Sequence, residues 1–245
     1  MAMEQAFDWR QYERRLFAAV ALVFPITVLI GFARTYYLKL AFGTPPLSRP
    51  LVHVHGALMT TWIAFFIAQV WLIRSKNHRT HMKFGWLGVV LGIAIIVVAF
   101  FTAVAAAKYG ATTPTPSGIP ALSFLAIPFF DLVLFAGLFG AAIYYRKRPA
   151  EHKRLMLLTA VNFAPAAIAR FPFEPFTSGG PPVFFGIPTI VMVVLLILDT
   201  WKNGKLNKVF LTGSIALIAS YPLRLLISGT DAWTSFAAWL TGWAA

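Results

Sequence analysis

Histidine is the side chain that most readily offers a neutral nitrogen to a metal or moves a proton near neutral pH. Four of the five histidines lie in one stretch, Leu51 to Gly88, which reads LVHVHGALMTTWIAFFIAQVWLIRSKNHRTHMKFGWLG. His53 and His55 open an apolar run; a short basic hinge follows, and His78 and His81 open the next run. The fifth, His152, sits in His152-Lys153-Arg154-Leu155-Met156 and echoes His81-Met82-Lys83-Phe84-Gly85. Both begin with His, carry Lys or Arg two positions on, and turn apolar within one helical turn.

Spacing divides these histidines into two sets. Val52 to Ile73 contains no Asp, Glu, Lys or Arg. At about 1.5 Å per residue a helix over it reaches across a hydrocarbon core of roughly 30 Å. His55 is thus expected more than about 20 Å from His81 and His152, and the two sets cannot share one ligand. At the inner face His78, His81 and His152 stand near helix N-termini. The positive end of the helix dipole disfavours imidazolium there and leaves neutral nitrogens as ligands or hydrogen-bond partners. Glu151 and Asp199 are the nearby acids. His81 and His152 share a depth and are expected as the metal ligands, axial to a haem, provided that their helices extend inward of the apolar spans. The competing reading is a basic loop facing lipid headgroups.

At the outer face His55 shares a helix side with Met59, Trp62, Phe66 and Gln69, whereas His53 points elsewhere. Asp131, Arg170, Arg224 with Tyr221, and Glu174 gather at a similar depth. An unpaired charge in lipid costs several kcal/mol. Asp131 is therefore expected to pair with Arg170 or Arg224, or these residues line a polar cavity. Two arginines near one histidine suit a carboxylate, a quinone carbonyl or haem propionates.

The elements that must hold these residues follow from composition. The 245 residues are 59% hydrophobic and 12% charged, with mean hydropathy +0.73, against about 45–50% and about 25% in soluble domains. Apolar runs predict seven spans: Leu16 to Phe32, Val52 to Ile73, Phe84 to Ala107, Leu122 to Tyr145, Leu155 to Phe171, Val183 to Leu198 and Val209 to Ile227. Residues 1–15, with aromatics beside arginines, and Trp233 to Trp243 read as interfacial segments. Thr44-Pro45-Pro46 and the prolines 114, 116 and 120 predict rigid, non-helical outer loops. Ala57, Thr60, Ala64 and Ala68 make a small-residue stripe for close helix packing.

Most of the 21 Lys and Arg residues fall in the N-terminal segment and in alternate loops. This bias predicts a cytoplasmic N-terminus and an outer C-terminus. Basic clusters spaced by apolar runs are not a phosphate-tracking groove, so the net charge of +13 implies no nucleic-acid partner. Without cysteine, disulfides, iron–sulfur clusters and thiolate zinc sites are excluded. No small-residue cleavage site follows Phe32, so the first span is expected to remain as an anchor. No GxSxG, HExxH or Walker loop points to hydrolysis or nucleotide use.

On His81-Met82-Lys83-Phe84-Gly85-Trp86-Leu87-Gly88 and His152-Lys153-Arg154-Leu155-Met156, with His55 to Trp62 and Pro222-Leu223-Arg224 in support, the chain resembles a group of poorly characterised bacterial multi-span membrane proteins. Their signatures are a His-x-x-x-Gly and a His-(Lys/Arg)-Arg-x-Met helix start. The resemblance implies a multi-pass bundle in the bacterial inner membrane. A looser likeness, resting on the histidines at helix starts, is to transmembrane b-type cytochromes and oxidase assembly proteins.

These readings converge on an all-α, single-domain integral membrane bundle of seven helices. The leading expectation is a redox-associated protein binding haem b or quinone, as an electron carrier or an accessory subunit of a respiratory or photosynthetic complex. His81 and His152 would serve on the inner side, His55, Arg170, Arg224 and Asp131 on the outer. The alternatives are a non-catalytic structural or assembly subunit of a larger membrane complex, and a small-solute or proton transporter using Asp131, His55 and the arginines. Membrane lipids are the expected partners in every case.

Overall fold

The computed structural model describes residues 9–44, 49–109 and 119–243, all of them helix or connecting turn. In chain order the α-helices are α1 (Trp9–Phe32), α2 (Pro50–Arg74), α3 (His78–Tyr109), α4 (Ala121–Phe124), α5 (Ala126–Tyr144), α6 (Pro149–Ile168), α7 (Gly180–Asn203), α8 (Lys208–Ser228) and α9 (Asp231–Trp243). A π-helical turn, Ala33–Tyr37, continues α1. Residues 1–8, Pro45, Pro46, Pro114 and Pro116, on which part of the expected interfacial segment and loops rested, lie outside the described residues.

Five helical segments are long and apolar enough to cross a membrane: Pro50–Arg74, His78–Tyr109, Ala121–Lys147, Gly180–Asn203 and Lys208–Ser228. Their outward faces are apolar, as on α3, where Leu87, Val90, Ile93, Val97 and Phe101 are exposed. Lipid is the medium in which such a surface costs nothing. The expected first and fifth spans differ from these. Along α1 the described residues include the apolar helical stretch Leu22–Tyr37. Helix α6 carries Glu151, Lys153 and Arg154 in its first turns and Asn162 farther along.

The polarity of α6 has a structural cause. It packs against α1, α5, α7 and α8, and most of its residues from Arg154 to Ile168 are buried. A helix enclosed by protein on several sides has little lipid-facing surface and can carry polar groups, provided that each finds a partner. The largest core cluster gathers Leu155, Leu158 and Val161 of α6 with Leu138 of α5, Met192 of α7 and Leu217 of α8.

Local sequence signals set the helix starts that matter for the histidines. Lys76 adopts φ +60° in the hinge after α2, and Asn77 Oδ1 accepts from the Thr80 backbone N–H at 3.2 Å. That cap satisfies one of the orphan donors of α3 and starts the helix at His78, six residues before the expected span. Arg148 and Pro149 start α6, with proline at the first helical position, where its missing N–H costs nothing. Both helices therefore reach past their apolar segments, and His81 and His152 lie inside regular helix.

Candidate histidine and arginine sites

The His81 and His152 rings come together with centroids 6.3 Å apart and planes at 73°. The His152 ring is anchored to a neighbouring helix. His152 Nδ1 is 2.9 Å from the Ala142 carbonyl oxygen in the last turn of α5. An Nδ1–H donating to that carbonyl fixes the tautomer and leaves Nε2 with its lone pair free. The Nδ1 of His81 is buried with no partner. The Gln69 side-chain oxygen, Oε1, is likewise buried and unpartnered. Polar atoms withdrawn from solvent are nearly always satisfied, so two orphans on neighbouring helices mark a nook suited to a ligand. Gly85, one turn along α3 from His81, has nothing within 4 Å of where a Cβ would stand.

His78 is exposed. Among the described residues no three His, Cys, Asp or Glu side chains converge on a metal site. Asp199 is occupied in another way: Arg154 Nε and Nη2 donate to Asp199 Oδ2 and Oδ1 at 2.9 and 2.6 Å, with both side chains buried. Arg154 Nη1 also donates to the Ala150 carbonyl at 2.5 Å, and Asn203 Nδ2 to Asp199 Oδ1 at 3.2 Å. Sequence reasoning missed this pair. It counted Arg154 among the loop cations because the apolar run begins only at Leu155.

At the opposite end of the bundle the two arginines have different fates. Arg224, fully buried, donates Nη1 to Asp131 Oδ1 at 2.5 Å and Nη2 to Ser220 Oγ at 2.9 Å. It also donates Nε to the Ser220 carbonyl at 3.2 Å and sits over the Phe185 and Tyr221 rings. Of the two expected pairings, Asp131–Arg224 is the one formed. Asn162 Nδ2 donates to the Asp131 carbonyl at 2.9 Å, which ties α5, α6 and α8 together around the ion pair. Both charges are thereby satisfied, and Arg224 and Asp131 act as a structural clamp.

Arg170 stands apart, just beyond α6. It donates Nη1 to the Ala166 carbonyl at 2.5 Å and lies 4.9 Å above the Phe32 ring. His55 is half-buried on α2. His53 is exposed, with the Tyr36 ring 6.1 Å away. Glu174 faces its own loop: Thr177 and Ser178 hydroxyls donate to its carboxylate and hold its pKa below the usual carboxylate range. The expected outer set of His55, Arg170, Arg224 and Asp131 is thus divided: Asp131 and Arg224 form a closed ion pair, with Arg170 set apart from it.

Compared with protein-family models, curated proteins and solved structures, the chain finds no match in any of the three.

Proposed function

We propose that this chain is a seven-span protein of a bacterial inner membrane, with its N-terminus in the cytoplasm. In this reading it holds a haem between His81 and His152 and works as an electron carrier or accessory subunit of a respiratory or photosynthetic complex. The observation that carries the reading is the paired histidines, each with one ring nitrogen left for a ligand. His81 and His152 are the residues that would hold the metal, and metal–nitrogen bonds of about 2.0–2.1 Å would be within reach of both rings. Their centroids stand 6.3 Å apart.

Coordination number favours haem over a bare ion. Zinc asks for four ligands, and among the described residues two imidazoles converge here. A porphyrin supplies four nitrogens to its iron and leaves the axial positions to the protein. Bound iron would supply one-electron redox chemistry. The chain's own residues would fix its orientation and potential through the Ala142 backbone contact. Exposed Arg79 and Lys83, flanking His81, suit the propionates. The likeness of the helix starts to b-type cytochromes points the same way.

Haemin titration of the detergent-purified protein tests the reading. The expected result is saturation at one haem per chain with a sharp Soret band. Saturable binding should fail in the His81→Ala, His152→Ala double variant. A colourless protein that takes up no haemin and co-purifies in fixed ratio with a larger complex would favour the assembly-subunit reading instead.

A further inference from the structure

Trp86 of α3 is exposed, and the Arg146 guanidinium lies over its ring, 5.7 Å from the centroid. Arg146 follows α5 directly and donates Nη1 to the Ile143 carbonyl at 3.2 Å. The two residues thus close one end of the seam between α3 and α5, the end that also holds the histidine pair. Tyr144, in the last turn of α5, is exposed as well. Trp and Tyr collect where lipid chains give way to headgroups, because their rings are apolar and their tips polar. From Arg146 to Arg154 the chain carries five Lys and Arg and one acid, Glu151. Arg146, Lys147 and Arg148 are all exposed.

A strip runs from this point along each helix. On α3, Trp86, Val90, Ile93, Val97 and Phe101 recur at helical spacing, and all five are exposed. On α5, Gly140, Gly137, Ala136 and Val133 are exposed, and a Cβ on either glycine would meet nothing within 4 Å. The α5 side of the seam is therefore a recess beside the taller side chains of α3. It leads to a cavity of about 320 Å³ between the helices, whose lining is apolar throughout and includes Ile96, Val97, Phe100, Phe129, Val133 and Ala136. Val97 and Val133 are exposed, so the cavity opens on the same side as the strips. Trp86 and Val97 are about 16 Å apart along α3 at 1.5 Å per residue. That is close to half of a hydrocarbon core of roughly 30 Å, the depth that the chains of one leaflet fill.

We propose that the α3–α5 seam binds one anionic phospholipid, its phosphate at Arg146 beside Trp86 and one acyl chain along Gly140 and Gly137 into the cavity. A guanidinium offers five N–H donors in a fork that matches a phosphate. The basic run around Arg146 favours a lipid with net negative charge over a zwitterionic one. The apolar lining gives a polar ligand nothing to bond, and a partner helix, about 10–12 Å across, is too thick to enter the cavity. An extended hydrocarbon chain meets both conditions. The site rests on the membrane reading and stands independently of the haem.

Native mass spectrometry of the full-length protein released from detergent counts the lipids it keeps when offered phosphatidylglycerol and phosphatidylcholine of equal chain length. One phosphatidylglycerol per chain is expected to be retained several-fold better than phosphatidylcholine. Arg146→Gln should remove that preference. Ala136→Phe, which fills the cavity from its lining, should lower retention of phosphatidylglycerol several-fold. Should Ala136→Phe fail to fold, Gly140→Leu serves in its place with the same expected loss. Lys205→Gln alters an exposed cation in the turn between α7 and α8, and should leave retention unchanged. The proposal is overturned by equal retention of the two lipids in the unaltered protein, or by a preference that survives Arg146→Gln. It is also overturned by undiminished retention once the cavity or recess is filled, or by equal losses in Lys205→Gln and Arg146→Gln, which would mark diffuse surface charge. Partition of the protein with the membrane fraction checks the membrane reading separately.

Discussion

Asp131 and Arg224 make a deeply buried pair, with exposures of 8% and 0%. Their worth lies in being together. Removing one partner of a buried pair leaves the other charge uncompensated, at about 3–5 kcal/mol. Asp131→Asn is therefore expected to lower stability by about that amount in a denaturation series, whereas Asp131→Leu with Arg224→Met should recover most of the loss. This clamp was half legible in the sequence. The expense of a charge inside an apolar run announced that Asp131 needed a cation, but not which arginine, because that choice depends on how α8 lies against α5. The Arg154–Asp199 pair was less legible, since Arg154 sits among loop-like cations and only the early start of α6 carries it indoors. Arg154→Met should leave Asp199 buried and unpaired and destabilise the junction of α6 with α7 by a comparable amount, again read as a lowered unfolding midpoint.

At the scale of the helices, two starts decide the histidine site. Helix α3 has 32 residues, about 48 Å at 1.5 Å per residue, well beyond a hydrocarbon core of roughly 30 Å. Hydropathy locates the apolar part of a helix and says little about its polar overhang, so the expected spans stopped short of both histidines. The Asn77 cap and Pro149 were the signals that extended them. Close approach between helices rests on glycines that hydropathy does not single out. A Cβ on Gly31 would strike a backbone oxygen of α6, which has no rotamer by which to yield. One on Gly137 would meet nothing within 4 Å. Gly31→Ala is expected to cost about 1–3 kcal/mol and to loosen α1 from α6. Gly137→Ala should be neutral or slightly stabilising, since alanine is the better helix former. Side-by-side thermal unfolding of the two variants checks the contrast, and equal midpoints would contradict it.

For the whole molecule, composition alone indicated a helical membrane protein, and the five long apolar segments accord with that. Seven crossings require α1 and α6 to traverse as well, the latter sheltered by its neighbours rather than by its own hydropathy. A reporter fused after Ala245 is expected to act on the outer side and one before Met1 on the cytoplasmic side; reporters on the same side would contradict an odd number of crossings. That topology would put the His81–His152 pair at the cytoplasmic end and Arg170 at the outer end. The histidine pair carries the functional account, and its most direct test is the optical spectrum of the reduced, detergent-purified protein beside its His81→Ala and His152→Ala variants. The account predicts a low-spin, six-coordinate haem spectrum for the wild type, converted to a high-spin, five-coordinate one by either single substitution. A protein with no Soret band after haemin is supplied, or a band that neither substitution alters, would contradict it.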